Sequence, residues 1–437
     1  MHINLLSGGS GKRLWPLSNE VRSKQFIKIF KTEEGSYESM VQRVYRQLLN
    51  IADAEKITIA TAESQVSALY NQLGSNVNIC TEPCRRDTFP AIALATAYLA
   101  DEKMVSKDEI VVVCPVDPYV EPDYFDAIKE FARLAQSKEV NLSLLGMEPT
   151  YPSEKYGYII PKDSRKVSRV LEFKEKPDMQ TAEEYIAKGA LWNGGVFAFR
   201  LGWMLQKVQE LIGFYDYKTL YKNYAKLQKI SVDYAVVEKE PDIQVLRFSG
   251  AWKDLGTWNT FAEAMEDASI GNVIMDDACE NTHIINELDV PLLGMGLKNL
   301  VVSASPDGII VSDKFRSSFI KPYVDTIHNR IRYAEKSWGT YQVLDVGENS
   351  LTIKVSLKPG EKMNYHYHER RDEQWTVIKG AGRVLLNGEW KTVKTGDVIS
   401  LPKGCRHTVI ADTVLEMIEV QIGQDIRVED KVIVKET

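Results

Sequence analysis

Short apolar runs alternate with helix-compatible stretches over residues 2–147, and this alternation restricts the fold more than any other feature. The runs are HINLL (2–6), KITIAT (56–61), NVNIC (76–80), EIVVVCPV (109–116) and NLSLLGM (141–147). The stretches between them fall near 37–49, 63–73, 89–103 and 122–136. Strand–helix alternation at this spacing predicts βαβ units and a mostly parallel sheet, an α/β architecture. EIVVVCPV is continuously apolar, as a central strand covered on both faces must be. Asp87 and Thr88 followed by Pro90 combine a good helix cap with proline in the first turn.

After residue 268 the texture changes. Residues 269–324 carry short β-rich runs (NLVVSA, GIIVS) and no long helical pattern, which predicts a small β connector, a solenoid fragment without a regular repeat. DTIHNRIRYAEK (325–336) is charged and helix-compatible and reads as a linker. Residues 337–437 read almost entirely as strands and turns, with SLTIKVSLKPG and TVKTGDVISLPKG as examples. Short strands punctuated by Gly and Pro predict a sandwich or barrel. A length of 437 residues fits such a division, because one ordinary core does not grow that large.

The net charge of −7 excludes a general nucleic-acid binder, which needs a basic face for phosphates. MHINLLSGG lacks a basic leader and a long apolar core, and no run reaches about 18 apolar residues. We therefore expect no signal peptide, no membrane partner and a cytoplasmic chain. The cysteines Cys80, Cys84, Cys114, Cys279 and Cys405 form no CxxC pair, and reduced thiols are the plain expectation.

The densest local signal follows the first apolar run: Ser7, Gly8, Gly9, Ser10, Gly11, Lys12, Arg13, Leu14, then Trp15-Pro16-Leu17-Ser18. Glycines there let the backbone approach a ligand and aim amides at phosphate oxygens. Arg13 can add a forked, charge-assisted pair, and Lys24 in Ser23-Lys24-Gln25-Phe26 offers a second cation. The spacing fits neither the dinucleotide GxGxxG nor the P-loop pattern.

GGSGKRLWPLS with KQF closely resembles the signature of bacterial mannose-1-phosphate guanylyltransferases, and further matches follow in order. Glu82-Pro83 with Arg85-Arg86-Asp87-Thr88-Phe89-Pro90-Ala91 resembles the nucleotide-contacting EPxxRNTAPA. Pro115-Val116-Asp117 resembles the metal-binding strand end, Tyr156-Gly157-Tyr158-Ile159 the sugar-side YGYI, and Phe173-Lys174-Glu175-Lys176-Pro177 FxEKP. Trp192-Asn193-Gly194-Gly195 resembles WNSG, and Trp252-Lys253-Asp254-Leu255-Gly256-Thr257-Trp258 resembles WxDVGSW. The resemblance implies a Rossmann-like transferase domain over 1–268 that joins GTP to mannose 1-phosphate and releases pyrophosphate. In it Ser7, Gly8, Gly9, Gly11, Arg13, Glu82, Arg86 and Thr88 would bind the nucleotide. Arg13, Lys24, Asp117 and Asp254 would be catalytic, the two aspartates holding Mg²⁺, a hard cation bound by few carboxylates and substrate oxygens. Gly157, Glu175, Lys176 and Asn193 would bind the sugar phosphate. The chain departs from the family pattern at Lys12, Asp87 and Pro118, where threonine, asparagine and histidine are usual.

A second signal lies near the end. Gly360 to His366 and His368, then Glu373 and Gly380, matches the first cupin motif, and Gly396 to His407 through Pro402 and Gly404 matches the second. Period-two spacing places His366 and His368 on one face of a strand, and Glu373 and His407 would complete an imidazole–oxygen site for Zn²⁺ or another divalent transition metal. The stretch also resembles the type II mannose-6-phosphate isomerase domain through Lys336-Ser337-Trp338-Gly339-Thr340-Tyr341, Arg371, Glu373-Gln374-Trp375 and Ile418-Glu419-Val420-Gln421. That implies isomerisation of fructose 6-phosphate and mannose 6-phosphate as a further activity; a homo-oligomer is a separate expectation. His366, Arg370, Gln374 and Thr408 depart from its pattern. Two alternatives stay open: the same reaction with another sugar or base, and a non-catalytic sugar-nucleotide-binding regulatory subunit.

Overall fold

The computed structural model describes all residues except Ser10, Lys138, His328, Asn329, Val428, Glu429 and 435–437. The chain divides into two compact units. The first comprises Met1–Ser10, Ser23–Val66 and Asn76–Glu266, and the second Gly11–Arg22, Ser67–Ser75 and Asp267–Thr437.

A nine-stranded sheet organises the first unit, in the order Asn78–Glu82, Ile57–Ala62, His2–Ser7, Ile110–Pro115, Leu191–Arg200, Leu142–Met147, Ile243–Phe248, Val167–Lys174 and Tyr158–Pro161. The first four strands are parallel. Leu191–Arg200 then runs antiparallel to both of its long neighbours, so the sheet is parallel in its N-terminal half and mixed beyond. Periodicity could not show this reversal, because it reads strands and not their direction. Ile110–Pro115 is central, and Val111, Val112 and Val113 are fully buried. Helix Thr88–Asp101 starts where sequence places it, with the Asp87 carboxylate accepting from the Thr88 amide at 2.8 Å. It packs ten buried side chains into the core.

Chain order makes the site. His2–Ser7 lies between Ile57–Ala62 and Ile110–Pro115, so the sheet order reverses there. Connections leave the carboxyl ends of such neighbouring strands in opposite directions and open a crevice for ligands. Leu6 is in register with Pro115; the glycine loop and Asp117 therefore leave the sheet side by side.

In the second unit, Ser269–Gly271, His283–Asn286 and Leu300–Ser305 stack in parallel, and Val273–Met275 pairs in parallel with Leu292–Gly294. This is the solenoid-like connector. The segment read as a helix-compatible linker holds a strand instead: Tyr333–Lys336 pairs antiparallel with Gly339–Val346. Pairing to a neighbour outweighs its weak local helical preference. Six-stranded and five-stranded antiparallel sheets follow and enclose a core that includes Val355, Trp375, Val384, Val409 and Met417. Arg22 is tied to the connector by a two-pronged contact with Glu287, at 2.7 and 2.8 Å. Asn19 donates to Asp307 at 2.7 Å. These contacts place Gly11–Arg22, which sequence reading assigned to the transferase block, in the second unit. No helix among the described residues is long and apolar enough to cross a membrane.

Candidate functional site

The glycine loop is held from behind. Thr61 Oγ1 donates to the Ser7 carbonyl at 2.9 Å, and Gln25 Nε2 to the Ser7 hydroxyl at 3.2 Å. Gln65 Nε2 and Arg85 Nη2 each donate to the Gly9 carbonyl at 3.1 Å. Committing the carbonyls to protein partners is what a phosphate cradle needs, since its amides must contact the ligand. A Cβ at Gly8 would lie 3.7 Å from Glu82 Oε1, so the loop abuts Glu82. Burial pushes the Glu82 carboxyl up from the ordinary range, against the opposing effect of its Tyr224 hydrogen bond; the Tyr224 hydroxyl donates to it at 2.5 Å. Arg86 donates to the Ala225 carbonyl, and the Thr88 hydroxyl accepts from the Val232 amide at 2.9 Å. Gly11, with φ 61°, and Arg13 belong to the second unit.

At the crevice, Lys24 Nζ lies 2.6 Å from Asp117 Oδ2 and 3.5 Å from Asp254 Oδ1. The ribbon formed by Pro118–Val120 and Trp252–Asp254 sets this pairing, with Asp254 opposite Pro118. The proline that departs from the family pattern thus opens the strand that aligns the second carboxylate. Burial works to strip the Lys24 proton, but Asp117 and Asp254 outweigh it, and the amine is held above its ordinary range. Two partly exposed carboxylates already gathered around one positive charge are a donor set suited to a hard divalent cation.

The residues expected on the sugar side also converge. A Cβ on Gly157 would fall 2.5 Å from Glu175 Oε2 and 3.3 Å from Asn193 Cβ, so only glycine lets these three meet. The Gly157 carbonyl accepts from the Asn193 amide at 2.8 Å, and Lys176 pairs with Glu175. Asn193 Nδ2 donates to Asp233 Oδ1 at 2.7 Å. Burial, with the charge of Glu175, pushes the Asp233 carboxyl up to about 6. Asp233 was missed from sequence: it sits in a short helix, Val232–Ala235, and only the fold brings it to Asn193. Trp192, Trp252 and Tyr156 form an aromatic cluster, with Tyr156 4.8 Å from Trp192 and 5.6 Å from Trp252. Trp192 precedes Asn193, and Trp252 lies two residues before Asp254, so the cluster links the sugar-side and carboxylate groups.

In the second unit, one ligand atom from each of His366, His368 and His407 lies within 4.8 Å of the others, and all three residues are buried. Each Nδ1 meets a backbone carbonyl: Asn364 at 2.7 Å, Asp430 at 3.0 Å and Cys405 at 2.9 Å. Those bonds fix Nδ1 as the protonated nitrogen and leave Nε2 as the ligand atom. Burial, with Lys431 and His407 nearby, pushes His366 down to about 2, so its imidazole is neutral, the metal-binding form. Buried His407 Nε2 has no hydrogen-bond partner among the described residues. A nitrogen that makes no hydrogen bond and faces the Glu373 carboxylate within a histidine trio fits a divalent metal. Glu373 contacts His368 Nε2 at 3.0 Å and His407 Nε2 at 3.5 Å, and is held by Arg371 at 3.0 Å and Trp375 at 3.3 Å.

Residues 4–269 match the nucleotidyl transferase family. The chain belongs to that family. This nucleotidyl transferase also matches the mannose-6-phosphate isomerase C-terminal family over residues 325–436. It is 30% identical to the mannose-1-phosphate guanylyltransferase RfbM of Salmonella typhimurium, over 96% of this chain and 93% of that one. It is 29% identical to the xanthan biosynthesis protein XanB of Xanthomonas campestris, over 99% and 98%. Among solved structures it is similar to a mannose-1-phosphate geranyltransferase from Thermus thermophilus, with a TM-score of 0.63, 28% identity, and coverage of 74% of this chain and 98% of that one.

Proposed function

We propose that this nucleotidyl transferase makes GDP-mannose and pyrophosphate from GTP and mannose 1-phosphate in the cytoplasm. The observation that carries the reading is the Asp117–Lys24–Asp254 cluster in the crevice beside the glycine loop. A phosphate oxygen of mannose 1-phosphate bonds to the α-phosphorus of GTP. The bond from that phosphorus to the oxygen bridging to the β-phosphate breaks, and pyrophosphate leaves with the electron pair. No covalent enzyme intermediate is needed, so the residues position groups and offset charge.

Ser7, Gly8, Gly9, Glu82, Arg86 and Thr88, all of the first unit, are our nucleotide set. Lys24 offsets triphosphate charge, and Lys176 offsets that of the sugar phosphate, beside Gly157, Glu175 and Asn193. Asp117 and Asp254 would hold Mg²⁺, which when bound neutralises charge on the phosphate oxygens. Residues 1–268 supply this chemistry in our reading, with 269–324 as connector, 325–336 as link and 337–437 as cupin. Exposed Ile309, Val311, Phe315 and Tyr323 on the connector support a homo-oligomer.

The test crosses GTP, ATP, CTP and UTP against mannose, glucose and heptose 1-phosphates and follows GDP-mannose by chromatography. Turnover confined to GTP with mannose 1-phosphate is expected. Turnover with another pair would overturn the substrate, and none with any pair would favour a regulatory subunit.

The histidine trio favours a second activity: interconversion of fructose 6-phosphate and mannose 6-phosphate. His366, His368, Glu373 and His407 would hold Zn²⁺ or another divalent transition metal, which when bound polarises the sugar oxygen. A coupled assay on fructose 6-phosphate tests it, and an unreactive metal-loaded chain would sink it.

A further inference from the structure

One short segment of the first unit, residues 224–233, touches both proposed substrate sets. It begins with Tyr224, which is fully buried and whose hydroxyl donates to Glu82 Oε2 at 2.5 Å. The other oxygen, Glu82 Oε1, is left on the side of Gly8. Arg86 donates to the Ala225 carbonyl, and the Phe89 amide to the Ile230 carbonyl at 3.2 Å. The Val232 amide donates to Thr88 Oγ1 at 2.9 Å. The next residue is Asp233, whose carboxylate accepts from Asn193 Nδ2 at 2.7 Å. Asn193 Oδ1 accepts from the Gly195 amide at 3.1 Å, so both ends of that side chain are committed.

The path from Thr88 on the nucleotide side to Asn193 on the sugar side thus crosses only Val232 and Asp233. Residues 227–231 form neither helix nor strand. Their course is set by these anchors and by Leu227 and Ile230, which pack on the core. Neither Tyr224 nor Asp233 belongs to a proposed substrate set. Each contacts a residue that does, Glu82 in one case and Asn193 in the other. Hydrogen bonds weaken steeply when bent, so a shift at one end of so short a segment is felt at the other. Contiguous networks of this kind carry energetic coupling between sites.

We infer that residues 224–233 couple the two substrate sites, with Tyr224 and Asp233 as positioning residues. A nucleotide that orders Glu82 and Thr88 also fixes Asn193 for the sugar phosphate, and linkage makes the effect reciprocal. This coupling rests on the reading of GTP and mannose 1-phosphate as the substrates.

Calorimetry on the full chain with Mg²⁺ tests it. The ligands are mannose 1-phosphate and the α,β-methylene analogue of GTP, in which carbon replaces the oxygen at the breaking bond, so that no transfer occurs. Each is titrated alone and in the presence of the other, for the wild type, Tyr224→Phe, Asp233→Ala and Asp233→Asn. In the wild type each ligand is expected to tighten the other about tenfold, and in Asp233→Ala by about twofold or less. Asp233→Ala should still bind the analogue alone as the wild type does. Tyr224→Phe keeps the ring and its packing; it should bind mannose 1-phosphate alone normally and lose the same coupling. Asp233→Asn keeps an acceptor oxygen for Asn193 and should retain it. Melting curves matching the wild type separate lost coupling from lost folding. A purely structural role has a different signature: each variant would weaken one ligand by the same factor with or without the other. That result, or no mutual tightening in the wild type, would overturn the coupling. A folded wild type that binds neither ligand would overturn the substrates, and the coupling with them, an outcome distinct from binding without coupling.

Discussion

Lys24 Nζ and Asp117 Oδ2 are 2.6 Å apart, with Asp254 completing the cluster at 3.5 Å. A lysine placed between two carboxylates offsets their charge, and in the proposed function it also meets the incoming phosphate. On the proposed reading, removing either carboxylate removes a cation ligand, and it leaves Lys24 less compensated. Asp117→Asn and Asp254→Asn are each expected to lower the transfer rate by about 10²–10³-fold. The circular dichroism spectrum should be unchanged.

Gly157 is expected to tolerate no side chain. The added Cβ of Gly157→Ala would sit 2.5 Å from Glu175 Oε2 and 2.9 Å from Phe173 Cζ and displace that carboxylate. Steady-state kinetics should show a KM for the sugar phosphate raised about tenfold, equivalent to one lost hydrogen bond to a charged group, with a smaller change in KM for the nucleotide.

Asp233 gives a pH signature. Its folded value of about 6 lies above the ordinary 3.8. Below about pH 4 the group is protonated in the folded and unfolded chain alike, and its contribution to stability is intact. As pH rises toward 6 the unfolded chain ionises first, so that contribution is lost, by about 2–3 kcal/mol at pH 7. Asp233→Asn should flatten this dependence in melting curves between pH 4 and 7; an unchanged curve would contradict the assignment.

The pair Arg22–Glu287 is a folding determinant of the second unit. Arg22 is almost wholly buried. Burial opposes its charge, but Glu287 outweighs that and the guanidinium remains ionised. Glu287→Ala strands it and should cost about 3–5 kcal/mol in urea unfolding, whereas Arg22→Met with Glu287→Leu should recover much of the loss.

Much of this was legible in the sequence because it is local. The apolar run EIVVVCPV became a fully buried central strand, and Asp87 with Pro90 started a helix where their chemistry requires it. The spacing of His366 and His368 places two buried imidazoles on one face of a strand. What sequence could not show depends on distant partners. The reversal of strand direction at Leu191–Arg200, the meeting of Asp233 with Asn193, and the strand at Tyr333–Lys336 are all decided by neighbours far along the chain. The attachment of Gly11–Arg22 to the second unit is another case: Arg22 looks like any surface arginine until Glu287, 265 residues later, is folded against it.

The most direct test of the account is pyrophosphate release from GTP and mannose 1-phosphate, measured against Mg²⁺ concentration for the wild type and Asp117→Ala. The account predicts Mg²⁺-dependent release by the wild type and loss of at least about 10²-fold in the variant. Equal release by both, or none from a folded wild type at saturating Mg²⁺, would contradict it.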